Sequence, residues 1–143
     1  MTNTDHKAIV QAFVEAVNQQ DWPRLDHLVA PEFIRHSRAA GEPQVRNRED
    51  LKAFLRREFE TFPDAHEEIQ FLLAEDDKVA ARLSFTGTQT GPLGSFPASG
   101  RKVVSDYLCI FRLAGGRIVE SWAEWDNLAS LVQLGHYNPP ESP

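Results

Sequence analysis

The chain has 143 residues, 41% of them hydrophobic, with 15 Lys and Arg against 21 Asp and Glu and a formal net charge of −6. That length and apolar content suit one domain with a real core and argue against wholesale disorder. The basic residues are scattered (Arg46/Arg48, Arg56-Arg57, Arg101-Lys102) and form no phosphate-tracking stripe, so nucleic acid is not an expected partner. No apolar run reaches membrane-spanning length, and the opening residues lack the basic and apolar regions of a secretory signal. A single cysteine, Cys109, excludes an internal disulfide and a paired-cysteine zinc site. Its apolar strand context predicts a buried thiol and favours a reducing cytoplasm.

The first predicted element is a helix from Asp5 to Gln20, with Ile9, Val10, Phe13, Val14 and Val17 at helical spacing and Thr4 or Asp5 as its cap. Pro23 opens a short second helix packed through Leu25, Leu28 and Val29, and Pro31 is expected to end it. Glu32 to Ser37 is a short extended piece in which Phe33 and Arg35 point one way, Ile34 and His36 the other. His36 has two readings: a surface or satisfied core histidine, or an acid/base group, since imidazole titrates near neutrality. Ser37 to Asn47, with Gly41 and Pro43, is a loop able to rim a pocket. A third helix starts at Asn47 or Asp50; Leu51, Phe54, Leu55, Phe59 and Phe62 form its apolar face, and Arg57, Glu58 and Glu60 are expected to face water.

The C-terminal half reads as strands. Ile69 to Leu73 is the first, with Asp64, His66, Glu67 and Glu68 as its solvated approach. Lys78 to Thr86 follows, with Val79, Ala81, Leu83 and Phe85 on one face and Arg82 on the other. Outside, Arg82 covers its neighbours with its stem; inside, it needs a carboxylate or a ligand oxygen. Gly87 to Gly100 is glycine-rich but lacks a phosphate-loop ending and joins strand to strand, so it is a long connection, with Leu93 and Phe96 able to fold over a pocket. Val103 to Leu113 and Arg117 to Asp126 form a hairpin around Gly115-Gly116. On its first strand Val104, Asp106, Leu108, Ile110 and Arg112 share one face; Ser105, Tyr107, Cys109, Phe111 and Leu113 share the other. Strict alternation on the second strand groups Ile118, Glu120, Trp122, Glu124 and Asp126, which reads either as an acidic edge or as a strand whose polar end enters a cavity. Asn127 to Gly135 is a short terminal helix that Asp126 or Asn127 could cap, and 136–143 is a proline-rich tail.

Helices first and long antiparallel strands later make an α+β domain spanning residues 1–143, with a core of about 7–135: a strongly curved, mostly antiparallel sheet, with the N-terminal helices enclosing a conical cavity. Several stretches carry a family resemblance: Ala30-Pro-Glu-Phe33 with His36, Asp77-Lys-Val-Ala-Ala-Arg82, Gly87-Thr-Gln-Thr-Gly91, Ser99-Gly-Arg-Lys102, Ile110-Phe-Arg112, Gly116-Arg-Ile-Val-Glu-Ser-Trp122 with Asp126, and Gln133-Leu-Gly135. Over Lys7 to Gly135 the sequence resembles the SnoaL-like polyketide cyclases, within the cone-shaped nuclear-transport-factor-2-like domains.

The resemblance implies cofactor-independent, metal-free acid/base chemistry: an intramolecular aldol closure in which a carboxylate, matched here by Asp126, takes a proton from a carbon beside carbonyl groups. It also implies a homodimer. The chain departs from the family at Gln89, where a histidine is usual; glutamine can polarise a carbonyl but cannot exchange a proton near neutrality. His36 compensates only if it and Gln89 line one pocket. The expected catalytic set is Asp126, His36 and Gln89, and the expected binding set is Trp122, Arg82, Glu124, Asp106, Tyr107 and Phe96, acting on an apolar, oxygenated small molecule. Epoxide opening or water addition is the related alternative. A noncatalytic binding or dimerisation domain, with Asp126 as a helix cap and Trp122 as core, is the alternative of a different class.

Overall fold

The computed structural model describes residues 1–141. In chain order the elements are α1 (Asn3–Asn18), α2 (Trp22–Leu28), β1 (Val29–Ser37), α3 (Arg48–Thr61), β2 (His66–Glu75), β3 (Lys78–Thr88), β4 (Lys102–Ala114), β5 (Arg117–Glu124) and α4 (Asn127–Gln133). The strands form one mixed sheet in the order β1-β5-β4-β3-β2. The meander β2 to β5 is antiparallel, and β1 joins β5 in parallel. The fold is α+β, with the N-terminal helices packed on one face of an open sheet. Among the described residues, no helix is long and apolar enough to cross a membrane.

Local chemistry sets the element ends. The cap of α1 is Thr2 rather than Thr4 or Asp5: Thr2 and Asp5 form a reciprocal capping box, which satisfies two first-turn amides. Asp21 caps α2 and Asn47 caps α3. Pro31 does not end α2. The helix stops at Leu28, and Pro31 sits in β1 between Val29 and Ile34, where the pairing with β5 is irregular and no ladder amide is required of it. Gly115 and Gly116 turn the β4–β5 hairpin with φ of +59° and +78°, the left-handed backbone that a two-residue turn between twisted strands demands.

The inner face of the sheet follows the predicted alternation on β3 and β4. Val79, Ala81, Leu83, Cys109, Phe111 and Leu113 are buried against Val10, Val14, Leu25, Leu51 and Leu55 of the helices. A second, smaller cluster of Phe62, Phe85, Val103 and Leu134 closes the end of the sheet next to the β3–β4 connection. On β5 the alternation fails. Leu113 pairs with Ile118 but Arg112 pairs with Glu120, so Val119 is one residue too many and forms a bulge. Ile118 therefore joins Ser121 and Ala123 on the buried face. Glu120, Trp122 and Glu124 turn outward, away from the helices. This corrects the grouping of Ile118 with the carboxylates.

Candidate active site

Polar side chains gather on the inner face where β1, β2, β4 and α3 converge. Arg35 comes from β1; its register opposite Ser121 puts it on the buried side. Glu58 comes from α3. It lies three residues after Leu55 and four before Phe62, both buried, so helical geometry aims it inward rather than at water as the sequence suggested. Glu67 comes from β2, opposite Phe85 and on the same face as Ile69, not in a solvated approach. The end of α1 fixes it: the Asn18 side chain donates to the Glu67 carbonyl at 2.9 Å and accepts from the Glu67 amide at 2.8 Å. Tyr107 comes from β4 and donates its hydroxyl to Glu67 Oε1 at 2.7 Å.

Two more residues complete the group. Glu42, from the loop between β1 and α3, pairs one carboxylate oxygen with Arg35 Nη1 and accepts the Trp125 indole N–H on the other at 2.5 Å. The Arg35 guanidinium also lies 4.7 Å over the Phe54 ring.

Taking these carboxyls out of water disfavours their charged forms. Burial pushes Glu58 up to about 7, with the Arg35 charge opposing and Glu42 adding to the shift. Burial pushes Glu67 up to about 8; the charge of Glu58 adds, while the Tyr107 hydrogen bond and Arg35 oppose. The Tyr107 hydroxyl is raised well above its ordinary range by burial and by Glu67. Glu67 Oε2 is buried and has no hydrogen-bond partner. Near neutrality, then, the interior holds one carboxyl poised between its two states and one that is mostly protonated with an oxygen to spare.

An open cleft of about 470 Å³ lies where β5 leaves β4, lined by Arg82, Asp106, Tyr107, Leu108, Glu124, Trp125, Asp126 and Asn127. Five of the sequence-predicted site residues meet there. Arg82 reaches Asp106 at 3.7 Å and Gln70 at 3.1 Å, and Gln70 donates to Asp106 at 3.3 Å. Asp126 is exposed and caps α4, accepting the Ala129 amide at 2.9 Å. Tyr107 and Trp125 belong to both the cleft and the interior group, so they stand between the two.

The other predicted site residues lie elsewhere. His36 and Trp122 stack on the outer face of the sheet, ring centroids 5.4 Å apart. Glu120 accepts from His36 at 2.6 Å and from Arg112 at 2.9 Å, and these two bonds hold its carboxyl below the usual range. Gln89 is fully buried at the far end of the inner face, so it and His36 do not share a pocket. Its amide donates to the Pro97 carbonyl at 3.1 Å and its oxygen bonds His136 at 2.7 Å. Phe96 stacks on His136 at 4.8 Å. This set ties the β3–β4 connection to the start of the C-terminal tail. Residues 137–141 carry no helix or strand, and the last two residues of the predicted tail, 142–143, lie outside the described residues.

The family model of the SnoaL-like polyketide cyclases matches residues 7–134. The chain belongs to that family. Solved structures agree with this SnoaL-like assignment. TsrD from Streptomyces laurentii is 31% identical with a TM-score of 0.84, over 96% of this chain and 99% of that one. Wild-type IdmH from Streptomyces antibioticus, provisionally a polyketide cyclase, is 30% identical with a TM-score of 0.79, over 91% and 98%. AclR from Streptomyces galilaeus, provisionally a hydroxylase, is 25% identical with a TM-score of 0.82, over 99% and 87%. No curated protein matches the sequence significantly.

Proposed function

We propose that this SnoaL-like chain is an acid/base enzyme of the cyclase type that closes an apolar, carbonyl-containing small molecule on itself, and that the chemistry runs on the interior carboxyls. The observation that carries this reading is Glu58, raised to about 7 beside a largely protonated Glu67 raised to about 8. A base is most effective when its pKa lies near the working pH. Glu58 takes the proton from a carbon flanked by carbonyls. The electron pair moves onto a carbonyl oxygen, which receives a hydrogen bond from protonated Glu67 through its free Oε2. The enolate carbon attacks the second carbonyl, and the alkoxide formed regains the proton from Glu58. The carbonyls spread the charge themselves, so the reaction needs no organic cofactor. The cleft beside Tyr107 and Trp125 is the way in.

A second reading keeps the base at Asp126, as the family resemblance implies. The gathering of Asp126, Glu124, Asp106 and Arg82 along one cleft favours it. A panel of β-keto esters assayed for closed products by mass spectrometry finds a working substrate, and two variants then separate the readings. Glu58→Gln is expected to lower kcat by about 100-fold or more, with Asp126→Asn within about threefold of the parent, since asparagine keeps the helix cap. The reverse pattern moves the base to Asp126; no effect from either rejects both.

The same reading includes a cytoplasmic homodimer formed through the outer face of the sheet, where Phe71, Leu73, Val104, Leu108 and Ile110 are 40–63% exposed. Light scattering after gel filtration tests it, with a monomer mass as the refuting result.

A further inference from the structure

Glu42 is the unusual member of the interior group. It is carried by a loop, not by a strand or helix, yet its side chain is only 10% exposed. Its neighbours Gly41, Pro43 and Gln44 are exposed. The loop is fastened on either side without it: Asn127 donates to the Ala40 carbonyl at 2.9 Å, and the Arg35 amide donates to the Val45 carbonyl at 3.0 Å. Between those anchors Gly41 supplies a φ of +84°, and the Glu42 amide donates to the Ala39 carbonyl at 3.4 Å, a long bond that an outward swing gives up.

The inward-reaching carboxylate satisfies two donors from separate segments, the Arg35 guanidinium of β1 and the Trp125 indole N–H just after β5. A guanidinium and an N–H converging on one carboxylate is the geometry by which proteins recognise a carboxylate ligand. The surroundings are aromatic: Phe54 stacks under the guanidinium, the Trp125 ring supplies one donor, and Tyr107 lines the same cleft as Trp125.

We propose that Arg35 and Trp125 form a carboxylate-binding subsite whose intramolecular occupant is Glu42, and that an aromatic carboxylate displaces Glu42 by swinging residues 41–44 outward. The inference rests on the interior active-site reading only in setting such a ligand's ring beside Glu58 and Glu67. The subsite narrows the substrate class to acidic aromatic or aromatic-to-be molecules, their carboxylate held at Arg35 and their carbonyl carbons toward the interior carboxyls.

The test uses benzoate as the probe and benzamide as its uncharged counterpart, followed through the Trp125 indole N–H resonance in 15N-labelled protein. Removing the competing carboxylate in Glu42→Ala is expected to tighten benzoate binding about tenfold or more over the parent, the range of one charge-assisted hydrogen bond. Benzamide affinity is expected to stay unchanged, and adding Arg35→Met is expected to abolish the gain. If Glu42→Ala does not yield folded protein, Glu42→Gln decides: it keeps an acceptor for Trp125 and frees the guanidinium charge, so a several-fold gain for benzoate alone supports the proposal. Equal benzoate affinity in parent and variant overturns it, as does an equal gain for benzamide. Turnover does not enter the readout, so loss of the proposed role of Glu58 leaves this result standing, and the converse holds.

Discussion

The interior carboxyls make stability fall as pH rises through neutrality, and two conservative substitutions isolate the effect. Both Glu58 and Glu67 titrate above the ordinary 4.5 in the folded chain, at about 7 and about 8. Between pH 4.5 and those values the folded state holds protons that the unfolded chain has released. Stability supplied by the protonated forms is complete below about pH 4.5 and is lost as pH climbs through 7 and 8. The gaps are about 2.5 and 3.5 pH units, and at about 1.4 kcal/mol per unit they set ceilings of about 3 and 5 kcal/mol. Both residues keep some exposure, so water screens part of that, and a combined loss of about 4 kcal/mol between pH 5 and pH 9 is expected. In a chain of this length such a loss lowers Tm by about 10–15 °C. Urea titrations at half-unit pH steps measure it. In the Glu58→Gln, Glu67→Gln double variant, amides mimic the protonated acids and the slope should flatten. Every other side chain is the same in both proteins, so its contribution cancels in the comparison. A parent whose stability is level from pH 5 to 9, or a double variant that falls as steeply, refutes the assignment of protonated interior carboxyls.

Three further outcomes follow from the same geometry. Cys109, whose thiol burial pushes up to about 12, should react with a disulfide reagent only as fast as the chain opens; rapid labelling in native buffer contradicts its place in the core. Asp126→Ala removes the α4 cap and should lower stability by about 1 kcal/mol in a urea melt, while Asp126→Asn leaves it unchanged. Gln89→Leu strips both partners from a fully buried amide, leaving the Pro97 carbonyl and His136 unpaired, and should cost about 1–3 kcal/mol; a neutral result means the β3–β4 connection is held by other contacts.

Much of the fold was legible because simple periodicities carry it. The stripe Val10, Val14, Val17 made α1, and the alternation of β3 and β4 held along the paired length of those strands. What escaped was decided by single residues whose effect is not local. Pro31 looked like a helix stop, yet the irregular parallel joint between β1 and β5 accommodates it inside a strand. Thr2 became the α1 cap because Asp5 lies three residues on and reciprocates its hydrogen bond, a pairing that outweighs the nearer candidates Thr4 and Asp5.

The site was less legible for a related reason. Charge alone points Glu58 and Glu67 at water, whereas their phase along helix and strand points them inward. Glu58 fits the apolar stripe of α3 between Leu55 and Phe62, and Glu67 shares the face of Ile69, so both inward positions were readable from spacing alone. Glu42 was not readable, because a loop has no period and only the fold brings it to Arg35 and Trp125. Val119 had the largest consequence. One bulged residue exchanges the faces of everything after it, turning Glu120, Trp122 and Glu124 outward. With Val119 in place, strict alternation from Ile118 would instead demand that Glu120 and Trp122 replace Ser121 and Ala123 against the core. Burying an unpaired carboxylate there is far costlier than an irregular ladder. The bulge is thus what keeps the inner face of β5 small at Ser121 and Ala123, leaving room beside Arg35 for the polar group on which the proposed chemistry depends.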